Sequence, residues 1–182
     1  MKKFIIGCSL FCFIAVQASA QIPTFSKGDN VVSFGIGFGG TYLGSYYSST
    51  PFFTGYFENC IIDNLFDEKS SIGIGATFGY KSNKYEYYGW GWKNTYMLFG
   101  ARGSFHYALV DKLDTYAGLM IGFRAHSYKE IGTAVDKPSS SGGLTSDFYA
   151  GARYYFTDSF AAFAELGYSW FSVATIGVSL KF

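Results

Sequence analysis

Apolar residues recur at every second position through most of this chain. In VVSFGIGF, residues 31–38, Val32, Phe34, Ile36 and Phe38 share one face, opposite Val31, Ser33, Gly35 and Gly37. SIGIGATFGY, residues 71–80, sets Ile72, Ile74, Ala76, Phe78 and Tyr80 against Gly73, Gly75, Thr77 and Gly79. The closing TIGVSLKF sets Ile176, Val178, Leu180 and Phe182 against Thr175, Gly177, Ser179 and Lys181. A period of two is that of a β-strand with unlike faces. The same alternation runs through residues 52–62, 94–108, 115–125, 148–156 and 160–168. It predicts eight strands, the shorter of them close to the ~9–11 residues that a tilted strand takes to cross a bilayer.

Alternation alone does not say which face meets water, because a soluble lipocalin-like barrel alternates too, with its apolar face inward. The polar face decides. A wet exterior carries many Lys and Glu, whereas here that face is mostly Gly, Ser and Thr with isolated charges. Small residues suit a narrow interior, so the bulky face is expected to meet lipid. The connections agree: long stretches (39–51, 81–93, 126–147) alternate with short ones (63–70, 109–114, 157–159), and the last outer connection, around 169–171, is short. That is the order of extracellular loops and periplasmic turns in an outer-membrane barrel. Tyr80, Trp92, Tyr107, Tyr154, Phe156, Tyr168 and Trp170 stand near predicted strand ends, where interfacial girdles are expected. In hydrocarbon every backbone N–H and C=O must be paired, which only closure of the sheet achieves. The expected fold is therefore all-β: an eight-stranded antiparallel up-and-down transmembrane β-barrel whose last strand bonds to its first.

Composition sharpens this picture. Of 182 residues, 21% are aromatic, 23 are glycine and only 15% are charged, against roughly 25% charged in average soluble chains. The start, MKKFIIGCSLFCFIAVQASAQ, has a basic lead, an apolar run from Phe4 to Val16 and a small-residue Ala18-Ser19-Ala20 site. This is the layout of a cleaved secretory signal peptide over residues 1–20, leaving 21–182 as one barrel domain. Cleavage would remove two lysines from the 14 Lys+Arg, leaving 12 against 13 Asp+Glu and a net charge of −1. Nothing there argues for nucleic acid. Cys8 and Cys12 would leave with the signal, and Cys60 alone makes no intramolecular disulfide.

Several residues invite a functional reading. Gly35-Ile36-Gly37-Phe38-Gly39-Gly40 spells G-x-G-x-x-G, but no helical period follows it, so its glycines are read as lumen and turn positions. With the apolar faces outward, Glu58, Arg102, His106, Arg153, Glu165 and Lys181 enter the lumen. They are expected to pair across a narrow interior as a structural polar network, since an eight-stranded barrel is about filled by its own side chains. The alternative is that the same charges line a narrow porin-like path for ions or small solutes. A third reading, a lipid-modifying enzyme, would rest on Ser104 with His106 or on His126 with Ser127. Neither pair has an acidic partner at recognisable spacing, so no catalytic, cofactor-binding or metal residue is assigned. The outer stretches KSNKYEYYGWGWKN and HSYKEIGTAVDKPSSSGGLTS carry tyrosine, tryptophan, lysine and serine, a chemistry suited to adaptable surface contacts.

The segments PFFTGYFENCIIDNLFDEKSSIGIGATFGY, LFGARGSFHYAL, LDTYAGLMIGF and GARYYFTDSFAAFAELGYSWFSVATIGVSLKF resemble the small outer-membrane β-barrel proteins of Gram-negative bacteria, of the OmpX and OmpA-barrel kind. The resemblance covers nearly the whole chain after residue 20. It implies an outer-membrane location, lumen roles for Glu58, Arg102, His106, Arg153 and Glu165, and no single activity. It also implies that the terminal strand, with Val178, Leu180 and Phe182, is read by the barrel-assembly machinery. The expected partners are outer-membrane lipid, that machinery and a surface ligand at the outer loops, with the barrel itself a monomer.

Overall fold

The structure, a computed structural model, describes residues 24–40, 48–132 and 139–182; the proposed signal peptide lies outside them. Among the described residues the regular elements are all strands: β1 (Asn30–Phe38), β2 (Ser48–Ser49), β3 (Phe52–Asp63), β4 (Ser70–Tyr87), β5 (Trp90–Val110), β6 (Leu113–Ile131), β7 (Ser139–Tyr155), β8 (Phe160–Tyr168) and β9 (Ala174–Lys181). Each long strand pairs antiparallel with its chain neighbours, β4 pairs with β5, and β9 returns to β1. Eight long strands therefore form a closed ring, and the two-residue β2 lies against β4 at Lys84 and Asn83.

The ring closes because the first and last strands match row for row. Val32 stands opposite Leu180, Phe34 opposite Val178 and Ile36 opposite Ile176. Asn30 and Phe182 exchange both backbone hydrogen bonds, each at 2.9 Å. The bulky face points outward throughout: Phe34, Ile121 and Leu166 are all more than 60% exposed. An exterior of this kind is stable only against hydrocarbon, so the barrel spans a membrane.

Two of the stretches expected as long loops are largely strand. The β4–β5 ladder continues beyond Tyr80 and Met97 up to Tyr87 opposite Trp90, and β6–β7 continues to Tyr128 opposite Ser139. Alternation does not reveal these extensions, because above the apolar band both faces carry polar and aromatic residues. The β4–β5 hairpin turns on Tyr88 (φ 48°) and Gly89 (φ 82°). Two successive positive φ values are the signature of the tight turn that matches strand twist. The result is a three-stranded arm, β4–β5–β6, reaching about 20 Å of strand length beyond Tyr80 at ~3.3 Å per residue.

Candidate functional site: a closed lumen beneath an aromatic arm

Four stacked layers fill the lumen. At the periplasmic end Phe25, ahead of β1, folds back into the barrel mouth beside Val31 and Cys60. Its ring lies 4.4 Å from that of His106. Above it is a buried charge cluster. Arg153 donates to Asp114 at 3.1 Å and to Glu58 at 3.2 Å. The His106 ring bridges the same two carboxylates, with Nδ1 2.9 Å from Asp114 and Nε2 3.2 Å from Glu58. Only the doubly protonated ring donates to both, and two acids then face two bases. Ser104 donates to Glu58 and meets the Tyr149 hydroxyl at 2.8 Å.

The third layer is the Arg102–Glu165 ion pair, 2.9 Å long. The Arg102 guanidinium is held between the rings of Tyr56 and Tyr149, 4.1 and 4.0 Å from their centroids. Tyr56 also donates to Glu165 at 3.3 Å. Gly118 makes this possible, since a Cβ there would strike the Tyr149 hydroxyl. Over the pair lies a small cavity of about 40 Å³ with a mixed lining, Thr54, Asp147 and Thr175 beside Leu98 and Met120, room for only about one to three waters. The fourth layer is apolar: Phe52, Leu98, Met120, Tyr96 and Phe171, with Phe52 stacked on Phe171 at 5.1 Å.

Of the six lumen residues expected from alternation, Glu58, His106 and Arg153 come together in one cluster, and Arg102 pairs with Glu165. Lys181 stands apart at the periplasmic rim, 3.0 Å from the Thr24 carbonyl and 3.6 Å from Asp29. Asp114 was missed because it is the second residue of β6, in a stretch expected as a turn. Its place opposite Arg153 in the β6–β7 register is the signal that would have found it. Trp92, expected in the outer girdle, instead faces the lumen side and stacks on Tyr85 at 4.5 Å. His126 stacks on Tyr96 and bonds Asn94, with Ser141 rather than Ser127 near its other nitrogen. Among the described residues no group of three His, Cys, Asp or Glu side chains is placed to hold a metal ion.

The arm has two unlike faces. Register places Tyr85 opposite Trp92 and Tyr87 opposite Trp90, so these four rings share the face that continues the lumen wall. Tyr128, opposite Asn94, adds a fifth and bonds Glu130 at 3.0 Å. The other face carries Lys84, Glu86, Lys93 and Lys129.

A closed ring of eight spanning strands, apolar outside and packed with paired charges inside, defines an integral membrane β-barrel of the bacterial outer-membrane type. The solved structure of Ail shares the fold. Ail, the attachment invasion locus protein of Yersinia pestis, in complex with the heparin analogue sucrose octasulfate, superposes with a TM-score of 0.52 at 10% identity, covering 86% of this chain and 99% of Ail. The N-terminal β-barrel domain of OprF from Pseudomonas aeruginosa gives 0.45 at 16% identity, covering 86% of this chain and 98% of that domain. OprG from the same species gives 0.43 at 13% identity over 88% and 99%. No protein-family model and no curated protein sequence matches the chain.

Proposed function

We propose that this chain is a monomeric outer-membrane barrel whose lumen is structural and whose working part is the β4–β5–β6 arm, a contact surface for partners outside the cell. The observation that carries this is the arm itself. A tight turn and a full ladder hold five aromatic rings on one face, the one that continues the lumen wall rather than the lipid-facing side. Rigid rings give contact area at little cost in conformational entropy. Ail, whose fold is similar, is seen with a sulfated sugar analogue, which is consistent with a role at the surface.

The lumen supports the same reading. A solute would have to displace Phe25, break two sets of buried ion pairs and part an apolar layer. An enzymatic role is disfavoured on the same ground: Ser104 and His106 are spent on Glu58 and Asp114, and both are buried away from lipid and water. The test is a chain in which residues 82–95 are replaced by a short turn. The barrel should still insert, and binding of cells or purified envelope and host glycans should fall at least tenfold. Stable single-channel conductance from the intact protein in planar bilayers, with unchanged binding after arm removal, would reverse the assignment to the channel alternative.

A further inference from the structure

On the outward face of the arm, three successive rows run across the strands. The first is apolar, with Tyr80 opposite Met97 and Met97 opposite Ala125. The next bears hydroxyls: Thr95 lies opposite Ser127, and Ser127 opposite Ser140 on β7. The third is all lysine, Lys84 opposite Lys93 and Lys93 opposite Lys129. Directly opposed like charges destabilise a sheet, their Cβ atoms being only ~4.5–5.5 Å apart. Lys84 is offset by Glu86. Among the described residues Lys93 and Lys129 form no salt bridge, and both are exposed.

Below the lysines the surface is hollowed. A groove of about 390 Å³ has Met97, Phe123, Ala125 and Gly142 among its lining residues, with Ser127 and Ser140 at its upper end. Gly142 contributes by its missing side chain, since a Cβ there would collide with the Phe123 ring. A water-borne anion would use the lysines and leave the groove idle. A lipid engages all three rows: acyl chain in the groove, polar headgroup atoms at the hydroxyls, and an anion at the lysines.

We propose that this face is a binding site for a phosphate-bearing lipid of the surrounding outer leaflet, with Lys93 and Lys129 as the phosphate ligands and the Met97–Phe123–Gly142 groove seating an acyl chain. A phosphate between the two ammonium groups turns their repulsion into charge-assisted hydrogen bonds. The site rests on the barrel standing in a membrane, and it is independent of what the aromatic face binds.

The experiment uses the full mature chain in neutral detergent micelles, titrated with diphosphorylated lipid A, its dephosphorylated form or inorganic phosphate, and read by native mass spectrometry. The wild type should retain the phosphorylated lipid at least tenfold better than the dephosphorylated one, and inorganic phosphate should not compete at millimolar concentration. Lys93→Gln/Lys129→Gln should abolish that preference, and Lys93→Arg/Lys129→Arg should restore it. Ala125→Leu, which fills the groove, should weaken retention of the lipid with the lysines intact. Heat-modifiable migration on gels confirms that each variant is folded. Equal retention of both lipids by the wild type, an unchanged preference in the double Gln variant, or competition by free phosphate would each overturn the site. Surface binding by the arm would survive any of these results.

Discussion

Phe25 packs against the His106 ring, 4.4 Å between centroids and tilted by 42°, although 81 positions separate them in the chain. The segment ahead of the first strand is thus part of the lumen packing, and it covers the charge cluster on the side nearest the periplasm. Replacing Phe25 by Ala removes a buried ring and opens the cluster to water. The expected loss is about 3 kcal/mol, within the ~3–5 kcal/mol usual for Phe→Ala in a core. The urea midpoint of folding into lipid vesicles reads it. No conductance is expected of the variant, because the Phe52, Leu98, Met120 and Phe171 layer still closes the outer half.

Arg153 is the only permanent cation in its cluster, shared between Glu58 and Asp114. Arg153→Met leaves two carboxylates in a closed interior with His106 alone to answer them. Stranding a buried charge costs roughly 3–5 kcal/mol, and that loss is expected in the same assay. Replacing the partners together, as Glu58→Gln/Asp114→Asn/Arg153→Met, should recover at least half of it. Equal stability of the single and triple variants would show that the ion pairs are not what holds the layer.

Much of this architecture can be read from residue order, and the places where it cannot share a cause. Alternation is a contrast between lipid and lumen, so it is clear in β1, β4 and β9, where Phe34 and Ile36 oppose Ser33 and Gly35. Above the apolar band that contrast vanishes: Lys84, Tyr85 and Glu86 read as a loop although all three sit in one strand. Trp92 was assigned to a girdle for the same reason. Phe25 is invisible to any periodicity because it enters the lumen from a non-strand segment. Asp114 needed the register, which ties β6 to β7 and is not local information.

The arm should be separable from the barrel in stability. Tyr85 and Trp92 stack across the strands at 4.5 Å with planes 26° apart. Such a pair is worth about 0.5–1.5 kcal/mol beyond its area. Trp92→Ala should speed amide hydrogen exchange in residues 84–93 by about three- to tenfold and leave the 100–106 amides unchanged. Equal acceleration in both segments would mean that the arm and barrel open as one unit.

Acid should loosen the periplasmic turn that holds Asp67. Partial desolvation opposes ionisation of Asp67, but the Lys69 amide, the Ser70 hydroxyl and the Tyr107 hydroxyl overcome it. Its carboxyl therefore sits below the ordinary 3.8. A lowered folded-state value means that the stabilisation is present above that ordinary value and is lost as pH falls through the depressed one. The Lys69 amide, 3.0 Å from the carboxylate, should titrate in NMR spectra with a midpoint below 3.8. In Tyr107→Phe, which removes the 3.1 Å donor, that midpoint should move up. No movement would assign the shift to Lys69 and Ser70 without Tyr107.

Deletion of Phe182 separates assembly from stability. In the finished barrel its backbone closes the β1–β9 seam with a pair of hydrogen bonds to Asn30, while its ring is 72% exposed toward the membrane. Loss of the residue removes two net hydrogen bonds, about 1–3 kcal/mol in all, and one ring of lipid contact. That is a modest cost to a barrel closed along eight seams. If Val178, Leu180 and Phe182 are also the segment that the assembly machinery reads, the cellular effect must be far larger than the energetic one. The expected outcome is a membrane level reduced at least fivefold in cells, with the same variant folding into vesicles at near-normal yield and a slightly lower urea midpoint. Equal losses in both settings would make Phe182 a seam residue and nothing more, and normal membrane levels would remove it from assembly altogether.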